Sequence, residues 1–185
     1  MNYRLLISAG LLLISAGLFV AAAPLFAATV RPEALRQAMG LKLGMWQGRV
    51  TVTDISVEAA PDADPAEVEK IKAALLPQIG QTKTIEECLW NSPHQLFIPG
   101  LKIEGGCEFS RVQAGAGRFG VAGACAYPKA GHRMEMAMDG TYSAGTMSTT
   151  YDILTTTGQL RIRLRAKSDA HHSGPCDVGA PLPPK

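Results

Sequence analysis

A mainly β fold is what this chain of 185 residues predicts: an antiparallel meander curled into a barrel-like or sandwich form, with one short helix inserted after the first strand. Three observations carry that expectation. Beyond Gln81 the sequence breaks into alternating apolar runs separated by glycine-rich turns, at intervals of about ten to fifteen residues, the rhythm of hairpin-linked strands and not of βαβ units. An earlier alternating run starts at Gly44, and between these two regions a single stretch has clear helical spacing.

Taken in order, the N-terminus has Arg4 ahead of an apolar run from Leu5 to Ala28 without a charged residue, the layout of an export signal. Two cleavage points compete. Ala21-Ala22-Ala23 satisfies a small-residue rule but leaves Pro24 after the cut, and a cut after Ala27 has Leu25 three positions back. The run also matches a bilayer span of roughly 20 residues. Residues 1–27 are therefore read as a cleaved signal peptide, with an uncleaved membrane anchor as the alternative. Either way the body lies outside the cytoplasm, in the periplasm or secreted.

The chain holds 18 basic against 16 acidic residues, and Arg4 is the one charge in the leader, so the body carries 17 against 16. Such a balance gives no general attraction to nucleic acid or to anionic lipid. The length allows one domain with a sizeable core.

Residues 28–43 read as a short helical or irregular lead-in, with Ala34, Leu35, Ala38 and Met39 forming a small apolar face. From Gly44 the strand pattern sets Trp46, Val50 and Val52 on one side and Gln47, Arg49, Thr51 and Thr53 on the other. Its phase slips at Asp54, because Ile55 and Val57 have the opposite parity, which predicts a bulge. Asp64 as a cap, Pro65 at the first helical position and Val68, Ile71 and Leu75 at helical spacing predict a helix ending near Pro77. Six strands follow: "TKTIEECLW", "GGCEFSRVQ", "GRFGVAGACAY", "HRMEMAMDGTY", "GTMSTTYDILTT" and "GQLRIRLRAKS". The single β domain spans 44–176, and 177–185 is a proline-rich tail.

Cys88, Cys107, Cys125 and Cys176 all fall in the exported body, where an even number of cysteines favours two disulfides. Four cysteines permit three pairings. The favoured one joins Cys88 to Cys107, closing a short hairpin-like loop, and Cys125 to Cys176, tying the tail to a strand. Without a Cys-x-x-Cys pair, neither thiol exchange nor a zinc knuckle is indicated.

The ordered motifs carry a resemblance. They are Gly44-x-Trp46, Cys88-Leu89, Cys107-x-Phe109, Cys125, Met136-x-Met138 with Gly140-x-Tyr142, and Gly174-x-Cys176. In that order they resemble the bacterial exported family named domain of unknown function 3617, over roughly Leu43 to Cys176. The resemblance implies an exported, disulfide-stapled β fold and adds no reaction. Where such proteins often carry a Met-, Gln- and Pro-rich insertion, this chain has its helix.

Met134, Met136 and Met138 occupy alternate positions of one strand with Gly140 and Tyr142, so they share a face; Arg133, Glu135, Asp139 and Thr141 take the other. Packing is the first reading, since thioethers fill irregular interiors. Copper is the second: soft sulfurs suit Cu(I), with His132 as an added ligand. If the curled sheet keeps a concave apolar side, Trp46, Met134, Met136, Met138, Tyr142, Met147 and Tyr151 are the side chains that would face a ligand.

His171 and His172 precede Cys176 in what reads as a flexible tail, and His94 lies in a proline-rich loop. No nucleophile elbow, carboxylate pair or phosphate-cradling loop appears, so neither an enzyme nor a cofactor is expected. Arg161, Arg163, Arg165 and Lys167 make a basic stripe, read as a solvated strand face that Glu135 and Asp139 partly neutralise. By elimination the chain is expected to be a non-enzymatic binding module for a small apolar ligand, a lipid or an envelope protein. A periplasmic copper protein and a purely structural or interaction protein are the alternatives.

Overall fold

A computed structural model of the chain describes residues 28–29, 31, 34–89, 106–127 and 132–176. The leader, the loop holding His94 and the proline-rich tail lie outside them. Eight antiparallel strands form one sheet: β1 (Ala28–Thr29), β2 (Gly44–Ala59), β3 (Thr82–Leu89), β4 (Gly106–Gly115), β5 (Arg118–Tyr127), β6 (His132–Tyr142), β7 (Thr146–Thr157) and β8 (Leu160–Gly174). Their order is β1-β4-β5-β6-β7-β8-β2-β3. Thus β4 to β8 are the expected meander, while the β2–β3 pair is added beyond β8. Among the described residues two α-helices accompany the sheet, α1 (Leu35–Met39) and α2 (Pro65–Leu75).

Each element follows from its residues. The register of β2 on β8 shifts between Val52 and Asp54, so that Val52 lies opposite Ala166, and Ile55 and Val57 lie opposite Leu164 and Ile162. The bulge thereby returns both apolar side chains to the face shared by Trp46 and Val50. Asp64 accepts a hydrogen bond from the Ala66 amide at 2.9 Å, and Pro65 stands at the first helical position, so α2 starts where expected. It continues as a 3₁₀ turn through Leu76–Gln78 and packs against β2. α1 ends at Gly40, whose left-handed conformation (φ 61°) glycine adopts at no steric cost.

The sheet is curled, and among the described residues its two edge strands are not hydrogen-bonded to each other. Leu35 and Met39 of α1 join one core cluster with residues of every strand from β2 to β8, Trp46, Leu89, Val112 and Met138 among them. A flat sheet of this width cannot bring β3 and β4 to one core, so the inner face is concave.

The disulfides correct the expected pairing. Cys88 is joined to Cys176, and Cys107 to Cys125. The reason is strand order. Cys107 and Cys125 are direct partners in the β4–β5 register, with Cα atoms 4.0 Å apart. Met45 lies opposite Cys88 on one side and Gly174 on the other, so the chain two residues beyond Gly174 crosses the start of β2 to reach Cys88. His171 and His172 are likewise not a tail: β8 carries both, opposite Gln47 and Trp46.

Candidate binding face

Strand parity puts two ends of the inner face under different cover. At the upper end, where β2 begins and β8 finishes, Trp46 is 1% exposed and packs with Leu35, Met39, Leu41 and Leu89. Its indole Nε1 donates to the Lys42 carbonyl at 3.0 Å, tying down the link that follows α1. The His172 ring stands edge-on to Trp46 at 6.1 Å, and its Nε2–H donates to the Leu43 carbonyl at 2.9 Å. Gly44 explains the Gly-x-Trp motif. It has φ 125°, and a Cβ there would run into the Gly174 carbonyl and the His172 ring.

The methionine strand supplies the middle of the face. Met136 and Met138 are fully buried, and Met134 is half-buried. Their partners on β5 are Gly123 and Val121, with Cys125 opposite Met134; on β7 they are Ile153 and Tyr151, with Thr155 opposite Met134. No second thioether stands opposite any of the three. His132, the added copper candidate, is exposed at the start of β6. Among the described residues no group of three or more His, Cys, Asp or Glu side chains is placed to hold a metal ion. Gly140 accounts for the next motif: a Cβ there would meet the Phe119 ring at 2.6 Å, so the glycine lets Phe119 lie across β6, with the Tyr142 ring tilted against it at 6.4 Å.

Polar groups are set among these apolar ones. Thr149 and Ser168 are buried to 1% and 2% exposure. The hydroxyls of Tyr151 and Ser168 are hydrogen-bonded at 2.9 Å. Burial pushes the Tyr151 phenol above its ordinary value of 10.0; side-chain hydrogen bonding with Ser168 and Thr149 acts against this, and the negative charge of Glu87 adds to it. Sequence parity places Met147 and Tyr151 on the concave side, and Thr149 lies between them with the same parity. Ser168 and Glu87 were missed, and the only available signal for Ser168 was its even spacing from Leu164 and Ala166.

The lower end of the same face is more open. Val57, Met134, Ile153, Thr155, Ile162 and Leu164 are each half-buried, although all point to the concave side. Of the expected ligand-facing set, then, Trp46, Met136, Met138, Met147 and Tyr151 lie in the packed part. Met134 and Tyr142 keep partial exposure.

The outer face is charged and shallow. Two hollows among the described residues lie on it, one of about 360 Å³ beside the β6–β7 turn, lined by Ser143, Thr146 and His171, and one of about 650 Å³ floored by Ala122, Ala124 and Ala137. Neither lies behind Trp46. The basic stripe is neutralised by other residues than expected: Arg161 by Glu58, Arg163 by Asp152, and Arg165 by Asp152 and Asp54. Glu135 and Asp139 instead serve Arg133 and Arg111.

This is a single curled antiparallel sheet, stapled at either end by a disulfide, with a packed and a half-open part on its concave side. The chain belongs to the family described as "Protein of unknown function (DUF3617)", which it matches over residues 41–176. No curated protein and no solved structure matches it significantly. Among the described residues no helix is long and apolar enough to cross a membrane.

Proposed function

We propose that this is an exported, non-enzymatic binding module that seats a small apolar ligand or a lipid chain at the lower end of its inner face. The observation that carries the reading is the set of half-buried apolar side chains there, Val57, Met134, Ile153, Ile162 and Leu164, on the concave side of a sheet whose edge strands, among the described residues, are not paired with each other. Exposed apolar surface of this kind costs solvation energy, about 25 cal/mol per Å², which an apolar guest removes. Two disulfides support an oxidising compartment, and with the apolar leader they favour the periplasm.

The test is native mass spectrometry of the protein recovered from the cell envelope, followed by titration with a C12 chain. The expected result is added mass that Ile153→Glu and Leu164→Glu both abolish while circular dichroism stays unchanged. Bare protein, with the methyl resonances of Ile153 and Leu164 unmoved by the chain, would leave the domain as a filled structural or interaction module.

A further inference from the structure

We propose that the turn joining α2 to β3 is a second binding surface, by which the domain docks on an anionic phospholipid membrane. Among the described residues the large apolar side chains that stay exposed are Leu43, Leu76 and Ile79, at 48%, 41% and 42%, and the last two stand in this turn. Ala73, Leu76 and Ile79 recur at every third position through the end of α2 and its 3₁₀ extension, so they fall on one side, with exposed Pro77 next to Leu76. The turn is also built to leave water. The last carbonyls of a helix ordinarily turn to solvent. Here the Gln78 Nε2 donates to the Ala74 carbonyl at 3.4 Å and the Gln81 Nε2 to the Pro77 carbonyl at 2.8 Å. The Leu76 and Gln78 carbonyls accept from the amides of Ile79 and Gln81, and the Gly80 amide donates to the Val52 carbonyl. Backbone groups satisfied within the chain are what a lipid interior requires and a solvated turn does not.

The order of charges along the segment names the partner. Asp62, Asp64, Glu67 and Glu69 come first, Lys70 and Lys72 stand nearer the turn, residues 73–82 carry no charge, and Lys83 follows. At about 1.5 Å of rise per residue, α2 sets the carboxylates back from the turn and the lysines beside it. Glu67 and Glu69 are each bound to a lysine, Lys70 at 3.8 Å and Lys72 at 2.9 Å, and on β2 Asp54 is held by Arg165. Apolar side chains bordered by lysines suit the boundary between acyl chains and anionic headgroups. A second protein fits less well. A stable interface needs about 800 Å² per partner, and the exposed parts of Ala73, Leu76, Pro77 and Ile79 do not reach it.

The test uses the full chain, exported and recovered from the cell envelope, with alanine, isoleucine and leucine methyls labelled for NMR. It is mixed with vesicles of phosphatidylethanolamine and phosphatidylglycerol that carry a gadolinium lipid. The methyls of Ala73, Leu76 and Ile79 are expected to broaden while those of the buried Ile55 and Leu89 stay sharp. An anchor retained at the N-terminus would hold the chain to the vesicle without bringing these side chains into it, so the methyl pattern, and not binding as such, is the readout. Leu76→Asn with Ile79→Asn, both at exposed positions, is expected to cut the broadening of Ala73 about tenfold with an unchanged circular dichroism spectrum. Lys83→Gln is expected to cut it about fivefold, and only with phosphatidylglycerol present. Equal broadening throughout, or an Ala73 signal that broadens as strongly in the double variant, would overturn the docking site and leave the ligand seat standing. Broadening of Leu76 and Ile79 with protein concentration alone, without vesicles, would overturn it in favour of a contact between copies.

Discussion

The upper and lower ends of the inner face are built by the same strands, with the same inward parity, yet they are sealed to different degrees. At the upper end α1 and the turn after it bring Leu35, Met39 and Leu41 over Trp46, and Cys176 is drawn across the start of β2 to Cys88. At the lower end the disulfide joins neighbours that are already paired, Cys107 and Cys125, and Met134, Ile153 and Ile162 stay half-buried. The difference teaches that alternation assigns a residue to a face, but cover decides whether that face is core or surface.

The largest effects should come from the upper end. The Cys88–Cys176 bond spans 88 residues of sequence and the Cys107–Cys125 bond 18. In the chain-entropy account their removal as paired serines costs about 4–5 and about 3 kcal/mol, respectively. Trp46→Ala should cost about 3–5 kcal/mol, because a buried ring and its bond to Lys42 are lost together, against at most about 2 kcal/mol for Met134→Ala. Urea denaturation of the four variants measures all of this. Equal losses at Trp46 and Met134 would show that the two ends are not differently packed.

These contrasts also explain what could be read from the residues alone. Everything set by near neighbours was legible: the strand runs, the bulge at Asp54 and the Asp64 cap are each decided within a few residues. The disulfide pairing was not, because it depends on β2 lying between β8 and β3, a placement fixed by the curl of the whole sheet. The end of β8 was misread for a related reason. Ser168 and Ala170 point inward where Tyr151 and Trp46 need room, and small inward residues look like a polar tail when no partner strand is in view. The inner-face candidates were found by parity, yet their division into packed and open groups rests on α1, which contributes only a few residues.

A smaller effect separates the buried hydroxyls from the rest of the face through pH. The folded-state pKa of Tyr151 lies above its ordinary value of 10.0. The folded protein thus holds the phenolic proton more tightly than the unfolded chain does. The associated stability is fully present below pH 10 and is lost as pH rises through the folded pKa. Tyr151→Phe should flatten the alkaline decline between pH 9 and about pH 11, measured as urea midpoint against pH. An unchanged slope in that variant would place the decline elsewhere.

The smallest effect belongs to the outer face, and it serves as the control for the comparison. Asp152 holds Arg163 at 3.1 Å and Arg165 at 3.3 Å, but all three side chains are more than a third exposed. Water and salt screen such pairs, so Asp152→Asn should cost less than about 1 kcal/mol, and less again in 0.5 M salt. The pairs still matter in another way. They keep a row of arginines solvated and neutralised beside the apolar inner face of β8, so that the strand presents one face to a core and the other to water. A loss at Asp152 as large as that at Trp46 would mean that charge pairing, and not cover by α1, holds the curl of the sheet.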